Sequence, residues 1–384
     1  MKFEFATSTR IIFGAGVLQQ VGQGVKHIGR RALVVTGRNP QRADKLLTIL
    51  ADSGVSATTF AVAREPEIAT VEHGVALAKQ ENCGLVIAFG GGSVIDAGKA
   101  IAAMMTNEGS LLDYLEIIGR GNSLANPARP FFAIPTTAGT GAEVTRNAVL
   151  ASPEHQVKVS LRSNYLLPSA AVIDPELTYD LPPALTASTG LDALTQLIEP
   201  YVCLRANPMT DGFCVEGLSR AARCLREAVF SGQNQHARED MALASLFGGL
   251  ALANAGLGAV HGFAGPIGGR FPAPHGAVCA ALLPHVMATN LRALREREPH
   301  SDAVNRYSRI ATHLTGNPHA TADAGVAWVQ ELVASLPIPK LGAYGLREEH
   351  VGDLVAKAAK ASSMKANPIL LTSEELAQTL RLAL

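Results

Sequence analysis

The stretch that decides the fold is LVIAFGGGSVIDAGK, residues 85–99. Five apolar residues run into three glycines and a serine, and an apolar helical pattern follows to residue 104. A strand that turns through glycines into a helix is the repeating unit of an α/β domain. Glycine lets the backbone approach a pyrophosphate closely, and the N–H groups at a helix start attract its charge. The turn therefore predicts an anion site at Gly91, Gly92 and Ser93, although glycines also serve plain helix–strand packing.

Strands and helices alternate around this stretch. Further strands are predicted at residues 32–36, 56–62, 131–135 and 170–175, and helices at residues 40–53 and 68–81. Such alternation indicates a parallel sheet with flanking helices. After residue 182 a period near 3.6 dominates, with helices predicted at residues 184–204, 210–228, 236–255 and 277–293. We predict an α/β dinucleotide-binding domain over residues 1–182 and an all-helical domain over residues 183–384.

Composition narrows the class of protein. Lys+Arg and Asp+Glu balance at 33 each and 47% of the 384 residues are hydrophobic, so bulk charge predicts neither a nucleic-acid nor a membrane partner. The five cysteines are scattered without a CxxC pair, which is typical of free thiols in a reducing compartment. No leader-like or membrane-spanning apolar run is present, so we expect a cytoplasmic protein.

A second polar cluster, PTTAGTGAEVT at residues 135–145, directly follows a predicted strand. The hydroxyls of Thr136, Thr137 and Thr140, with open backbone N–H groups, suit a phosphate, a ribose or a carboxamide. The alternative is a Thr-rich loop that caps its own helix.

Candidate metal ligands lie in the helical half. Asp192 and Gln196 stand four residues apart in a helical run, so their side chains face one way. His261 opens a Gly-rich apolar stretch and His275 lies between a proline and a glycine. One carboxylate and two imidazoles can hold a divalent cation and leave a position open for substrate. Spacing alone leaves a purely structural role for the histidines open.

Together these motifs resemble the iron-containing, or group III, alcohol dehydrogenase family, from about Arg10 to Leu384. The matching stretches are GGGSVIDAGK (90–99), PTTAGTGAEVT (135–145), DPELT (174–178), TGLDAL (189–194), HGFAGPIGGRFPAPHG (261–276) and LLPHVM (282–287). The resemblance implies a dehydroquinate synthase-like architecture, an NAD(P) cofactor and a divalent metal, Fe²⁺ or Zn²⁺. It also implies that Asp96, Lys158 and the threonines of residues 136–140 belong to the cofactor site.

The sequence departs from the family pattern at two positions. Gln196 stands where a histidine usually completes an Asp and three-His ligand set, and Gly265 replaces a histidine near the substrate. Three readings follow: a metal held by Asp192, His261 and His275 with Gln196 weak or water-bridged, a metal held by all four, or a metal-free site. The last resembles the maleylacetate reductase branch, to which residues 13–16 (FGAG) are also similar.

The implied reaction is hydride transfer between the nicotinamide and the carbon of an alcohol, aldehyde or ketone. A metal would polarise the substrate oxygen. Without one, His261 or His275 would donate a hydrogen bond or proton, as in a reductase of an unsaturated oxo acid. The 2′ position of the cofactor is expected at Gly37, Arg38 and Asn39. No carboxylate is present there, and Arg38 can pair with a phosphate, which favours NADP(H).

Two competing classes remain at this point. A non-redox lyase of the dehydroquinate-synthase type would share the architecture, but the Thr-rich motif and the PHG and LLPHVM pair favour the dehydrogenase branch. A catalytically inactive binding module is motivated by Gln196 and Gly265, and the intact cofactor motifs argue against it. By analogy with the family we expect a homodimer.

Overall fold

The structure is a computed structural model that describes residues 2–155 and 157–384. Met1, where the predicted first domain begins, lies outside the described residues. The chain forms two compact units: an α/β unit of residues 6–137 and 141–178, and a helical unit of residues 2–5, 138–140 and 179–384. The domain boundary after residue 182 stays a prediction.

The α/β unit is built on parallel strands. Its strands are β1 (Ile11–Phe13), β2 (Arg31–Thr36), β3 (Ser56–Ala61), β4 (Leu85–Gly90), β5 (Phe131–Pro135), β6 (Asn147–Ser152), β7 (Val157–Arg162) and β8 (Ala170–Ile173). Its helices are α1 (Val21–Val25), α2 (Asp44–Asp52), α3 (Ile68–Gln80) and α4 (Gly92–Met104). A parallel sheet has the order β1-β8-β5-β4-β2-β3, and β6 and β7 form an antiparallel pair. β4 is buried along its whole length because apolar clusters cover both faces of the sheet.

The helical unit contains the longer helices. They are α5 (Pro183–Val202), α6 (Pro208–Phe230), α7 (Gln235–Asn254), α8 (Ala259–Arg270), α9 (His275–Arg297), α10 (Asp302–Thr315), α11 (Ala322–Ser335), α12 (Val351–Ala358) and α13 (Ser373–Leu382). One apolar core joins them, and α5 packs against α6, α7 and α9. The predicted fold class, a parallel α/β domain followed by an all-helical one, is confirmed.

Three local differences from the sequence prediction have physical causes. α4 begins at Gly92 rather than at residue 94, so Ser93 lies in its first turn. The short edge strand β1 was not predicted, because it forms by pairing with the distant strand β8. The local hairpin of β6 and β7 was not predicted either. α8 was not predicted either, since its glycines and Pro266 disfavour a helix that tertiary packing nevertheless stabilises.

The apolar helix α9 is long enough to cross a bilayer, as are α7 and α8 taken together across their sharp bend. However, 78% of the most apolar window of α9 is buried inside the protein. Burial in the core explains its apolar character, so α9 gives no argument for a membrane span.

Candidate functional site

The carboxyl ends of β2, β4 and β5 gather the predicted cofactor residues of the α/β unit. β2 and β4 are neighbours, but the chain continues from β2 outward to β3 and from β4 to β5 on the opposite side. Open α/β sheets bind ligands in the crevice at such a switch point. Gly37 follows β2, the Gly91–Ser93 turn follows β4, and Thr136 and Thr137 follow β5.

The start of α4 has the form of an anion cradle. Gly91 precedes the helix, and the N–H groups of Gly92 and Ser93, at its first two positions, have no carbonyl partner within the helix. A Cβ on Gly90 would lie 2.5 Å from Val94, and one on Gly91 would lie 3.3 Å from the Thr137 hydroxyl. The crowding at Gly90 requires glycine there, and the free N–H groups at the helix start suit the pyrophosphate of NAD or NADP.

The remaining predicted cofactor residues have varied surroundings. The Thr136 N–H donates to the Gly90 carbonyl at 3.0 Å, which ties the second motif to the phosphate turn. Arg38 is exposed, and the Asn39 side chain accepts from the backbone N–H of residue 41. Lys158 lies on β7, where its Nζ pairs with Glu65 at 3.2 Å.

The predicted cofactor residues Asp96 and Thr140 are both half-buried. Asp96 is half-buried on α4, one turn before Lys99, with which it interacts electrostatically. Thr140 is half-buried and lies in the short segment of residues 138–140 that belongs to the helical unit.

Lys99 fastens the segment after the Thr-rich motif to α4. Its buried Nζ donates to the Thr145 carbonyl and hydroxyl, each at 2.8 Å, and to the Asn147 carbonyl at 2.9 Å. Burial lowers the pKa of Lys99 to about 8, against the opposing charges of Asp96 and Glu143. Burial likewise raises the pKa of Glu143 to about 7. Lys99 is therefore a positioning residue for the loop that carries the threonines.

The helical unit brings the predicted metal ligands together. Asp192 and Gln196 lie on consecutive turns of α5, His261 lies in the first turn of α8, and His275 is the first residue of α9. Asp192 Oδ1 is 3.5 Å from His261 Nε2 and 3.6 Å from His275 Nε2. Cys279 joins them, so that one donor atom from each of Asp192, His261, His275 and Cys279 lies within 4.8 Å of the others.

Two close approaches position these helices. A Cβ on Gly276 would lie 2.3 Å from the Ser188 carbonyl, so only glycine lets the start of α9 meet α5. A Cβ on Gly258, which directly precedes α8, would lie 2.8 Å from Oε1 of the Glu199 side chain on α5. The two glycines thus bring His275 and His261 toward α5.

Glu199 orients one of the histidines. Its Oε1 accepts from the Val260 N–H, and its Oε2 lies 2.7 Å from His261 Nδ1. A carboxylate only accepts hydrogen bonds, so Nδ1 of His261 carries a proton and Nε2 is the ring atom that would bind a cation. Glu199 was not predicted from the sequence, although it stands seven residues after Asp192 on the same face of α5.

The electrostatics of this cluster favour a bound positive charge. Burial opposes the ionisation of Asp192, but His275 and His261 outweigh it and hold its pKa below the usual value. Burial lowers the pKa of His275, whereas Cys279 and Asp192 raise it, to a net value of about 9. The pKa of His261 is raised well above its usual value against the same burial effect, by Cys279, Asp192 and Glu199. The groups around the two imidazoles therefore favour a positive charge in this cluster.

The donor set fits a divalent cation. Asp192 Oδ1 and Gln196 Oε1 are buried oxygen atoms with no hydrogen-bond partner within the described part of the chain. Buried oxygens without partners are costly unless a cation or water satisfies them. The carboxylate, the two imidazoles and the amide oxygen suit Fe²⁺ or Zn²⁺ in type, although the amide oxygen is the weakest of them.

Gly265 leaves open space one turn after His261. A Cβ built on it meets no heavy atom within 4 Å. Residues four apart share a helix face, so the space lies on the side of α8 that carries His261.

Comparison with known proteins assigns the class. The family described as "Iron-containing alcohol dehydrogenase" matches residues 8–175, and "Fe-containing alcohol dehydrogenase family, C-terminal" matches residues 186–384. The chain belongs to the iron-containing alcohol dehydrogenase family, as the sequence motifs predicted. It is accordingly an alcohol oxidoreductase of the alcohol dehydrogenase type. Membership of this family implies an NAD(P) cofactor and a divalent metal.

Individual relatives cover nearly the whole chain. It is 36% identical to 1,3-propanediol dehydrogenase of Klebsiella pneumoniae, over 99% of this chain and 98% of the relative. It is 33% identical to NAD-dependent methanol dehydrogenase of Bacillus methanolicus, over 97% of both chains. A crystal structure of 1,3-propanediol oxidoreductase superposes with a TM-score of 0.93 at 35% identity, covering 100% of both chains.

Proposed function

We propose that this enzyme interconverts a small-molecule alcohol and its aldehyde or ketone, using NAD(P)(H) and a divalent cation held by Asp192, His261 and His275. The observation that carries the proposal is the compact cluster of buried donors in the helical unit of an iron-containing alcohol dehydrogenase. The names of the relatives support a small alcohol as substrate.

The residues of the chain divide the work between binding and orientation. When bound, the nicotinamide exchanges a hydride with the substrate carbon, and the cation is a Lewis acid toward the substrate oxygen. Asp192 contributes the negative charge of the site, and Glu199 keeps Nε2 of His261 free to bind. His275 is one-third exposed while Asp192 and His261 are buried, so the open side of the cluster lies beside His275.

The cofactor end of the proposal rests on the α/β unit. Gly91, Gly92 and Ser93 bind the pyrophosphate through backbone N–H groups. The exposed Arg38 after β2 pairs with a 2′-phosphate, which favours NADP(H) over NAD(H). An Arg38→Asp variant is expected to lower kcat/KM for NADPH at least tenfold and to leave that for NADH unchanged or higher. An unchanged NADPH to NADH ratio would remove Arg38 from cofactor choice.

The decisive experiment joins metal analysis to steady-state kinetics. The purified enzyme is assayed for bound metal and for NADH and NADPH oxidation with short aldehydes and with maleylacetate. We expect stoichiometric metal, aldehyde reduction, and loss of activity on chelation that zinc or iron restores. Full activity after exhaustive chelation would refute the metal dependence and favour the metal-free alternative. A preference for maleylacetate would refute the alcohol and aldehyde substrates. Light scattering of the same sample tests the proposed homodimer.

A further inference from the structure

Cys279 is a donor that the expected ligand set does not contain. Its Sγ lies 3.7 Å from His275 Nε2 and 3.9 Å from His261 Nε2. The side chain is fully buried on α9, one turn after His275, so both residues face α5 together. The thiol therefore borders the same small volume as Asp192 and the two imidazoles.

The spacing of these donors is close to that of a tetrahedral metal site. At typical bond lengths to zinc, neighbouring nitrogen and oxygen ligands are about 3.4 Å apart, and nitrogen and sulfur ligands about 3.6 Å apart. The observed Asp192 to histidine distances are 3.5 and 3.6 Å, and the Cys279 to histidine distances are 3.7 and 3.9 Å. Four of the donor-to-donor distances are thus within about 0.3 Å of the tetrahedral values, and the remaining ones are at most 4.8 Å.

The donor chemistry gives a second reason. Among the expected ligands Asp192 is the one anionic donor, since the Glu199 carboxylate contacts the other ring nitrogen of His261, Nδ1. Gln196 contributes only a neutral amide oxygen, in the position where the family usually has a histidine. A Cys279 thiolate adds a second anionic donor, and its proton is released to solvent when the metal binds.

We propose that Cys279 binds as a thiolate and completes an Asp192–His261–His275–Cys279 donor set that favours Zn²⁺ over Fe²⁺. Thiolate is a soft ligand that favours zinc over harder divalent ions, and zinc already binds mixed N/O/S sites more tightly than Fe²⁺. The loss of the usual histidine at Gln196 is thereby compensated from a different helix. This inference rests on the proposed metal-dependent function.

The test reads the metal environment directly. Zinc X-ray absorption of the zinc-loaded wild-type enzyme is expected to show one sulfur at about 2.3 Å. The cobalt-substituted enzyme is expected to show a sulfur-to-cobalt charge-transfer band in the near ultraviolet. Both measurements use the wild-type protein and do not depend on the folding of any variant.

Variants then assign the sulfur. The Cys279→Ala variant is expected to lose the sulfur-to-cobalt charge-transfer band and to bind zinc at least tenfold more weakly. The ratio of its zinc affinity to its iron affinity is expected to fall. Cys214→Ala, which removes another fully buried thiol of the same unit, is the matched control and keeps all three properties.

The possible failures are distinguishable. Zinc bound by nitrogen and oxygen alone, with activity still metal-dependent, overturns the thiolate and leaves the proposed function standing. Activity that survives complete chelation overturns the proposed function. Binding of iron but not of zinc overturns the thiolate set alone, and absence of binding of either metal overturns both.

Discussion

The outer carboxylate Glu199 offers the sharpest test of how the site is organised. Glu199→Gln keeps the size of the side chain, and one amide oxygen still accepts from the Val260 N–H. The amide nitrogen then faces His261 Nδ1, where a carboxylate oxygen lay at 2.7 Å. A donor in that place forces the His261 proton onto Nε2 and removes the lone pair that binds a metal.

The expected cost follows from this change of tautomer. Loss of such an outer partner lowers metal affinity about 10- to 100-fold, or about 1.4 to 2.7 kcal/mol. Competition with a chromophoric chelator measures the zinc affinity, and circular dichroism of the metal-free protein shows whether the fold is kept. The control is Glu227→Gln, which makes the same substitution at an exposed position on α6. Equal zinc affinity in the Glu199 variant and the wild type would refute the orienting role.

Three other predictions follow from close contacts and burial. Gly276→Ala places a Cβ against the Ser188 carbonyl, so we expect the free energy of unfolding to fall by about 1–3 kcal/mol and zinc binding to weaken. Gly265→Ala is the control, because a Cβ there meets no atom within 4 Å. It should change neither quantity in the same unfolding and zinc titrations. Gly265→Leu is expected to lower kcat/KM roughly tenfold for branched or long alcohols and to leave that for short alcohols unchanged. An equal effect on both would show that the open space at Gly265 does not select the substrate.

Glu143→Gln tests the buried carboxyl beside Lys99. The pKa of Glu143 is raised from 4.5 to about 7, so its stabilising contribution is complete below pH 4.5 and is lost as pH rises to 7. The glutamine variant should therefore gain on the wild type by up to about 3 kcal/mol at pH 8 and much less at pH 5, as measured by urea unfolding; the same difference at both pH values would contradict it.

The sequence predicted the parts of the molecule that have a local signal. The buried strand β4 is a continuous apolar run in the sequence. The glycines after it mark the turn into α4. Asp192 and Gln196 share a helix face at a spacing that is visible without a structure. His261 and His275 were candidates from their residue type, and the family motifs supported them, since nothing near them in the sequence shows that α8 and α9 meet α5.

The parts that could not be predicted depend on tertiary packing. β1 has only three residues and forms because β8 lies beside it. Cys279 has no motif of its own, and its proposed role as a donor depends on the approach of α9 to α5 at Gly276. Glu199 likewise looks like an ordinary helical glutamate until the start of α8 is placed against it.

The donors on α5, α8 and α9 also have a mechanical meaning. They lie far apart in the sequence, from Asp192 to Cys279, and all five cysteines of the chain are free of disulfides. A cation held by all three helices is a cross-link that closes a long loop, and such closures stabilise a fold most when the loop is long. Loss of the metal would then destabilise the helical unit and raise its unfolding rate, in addition to abolishing turnover.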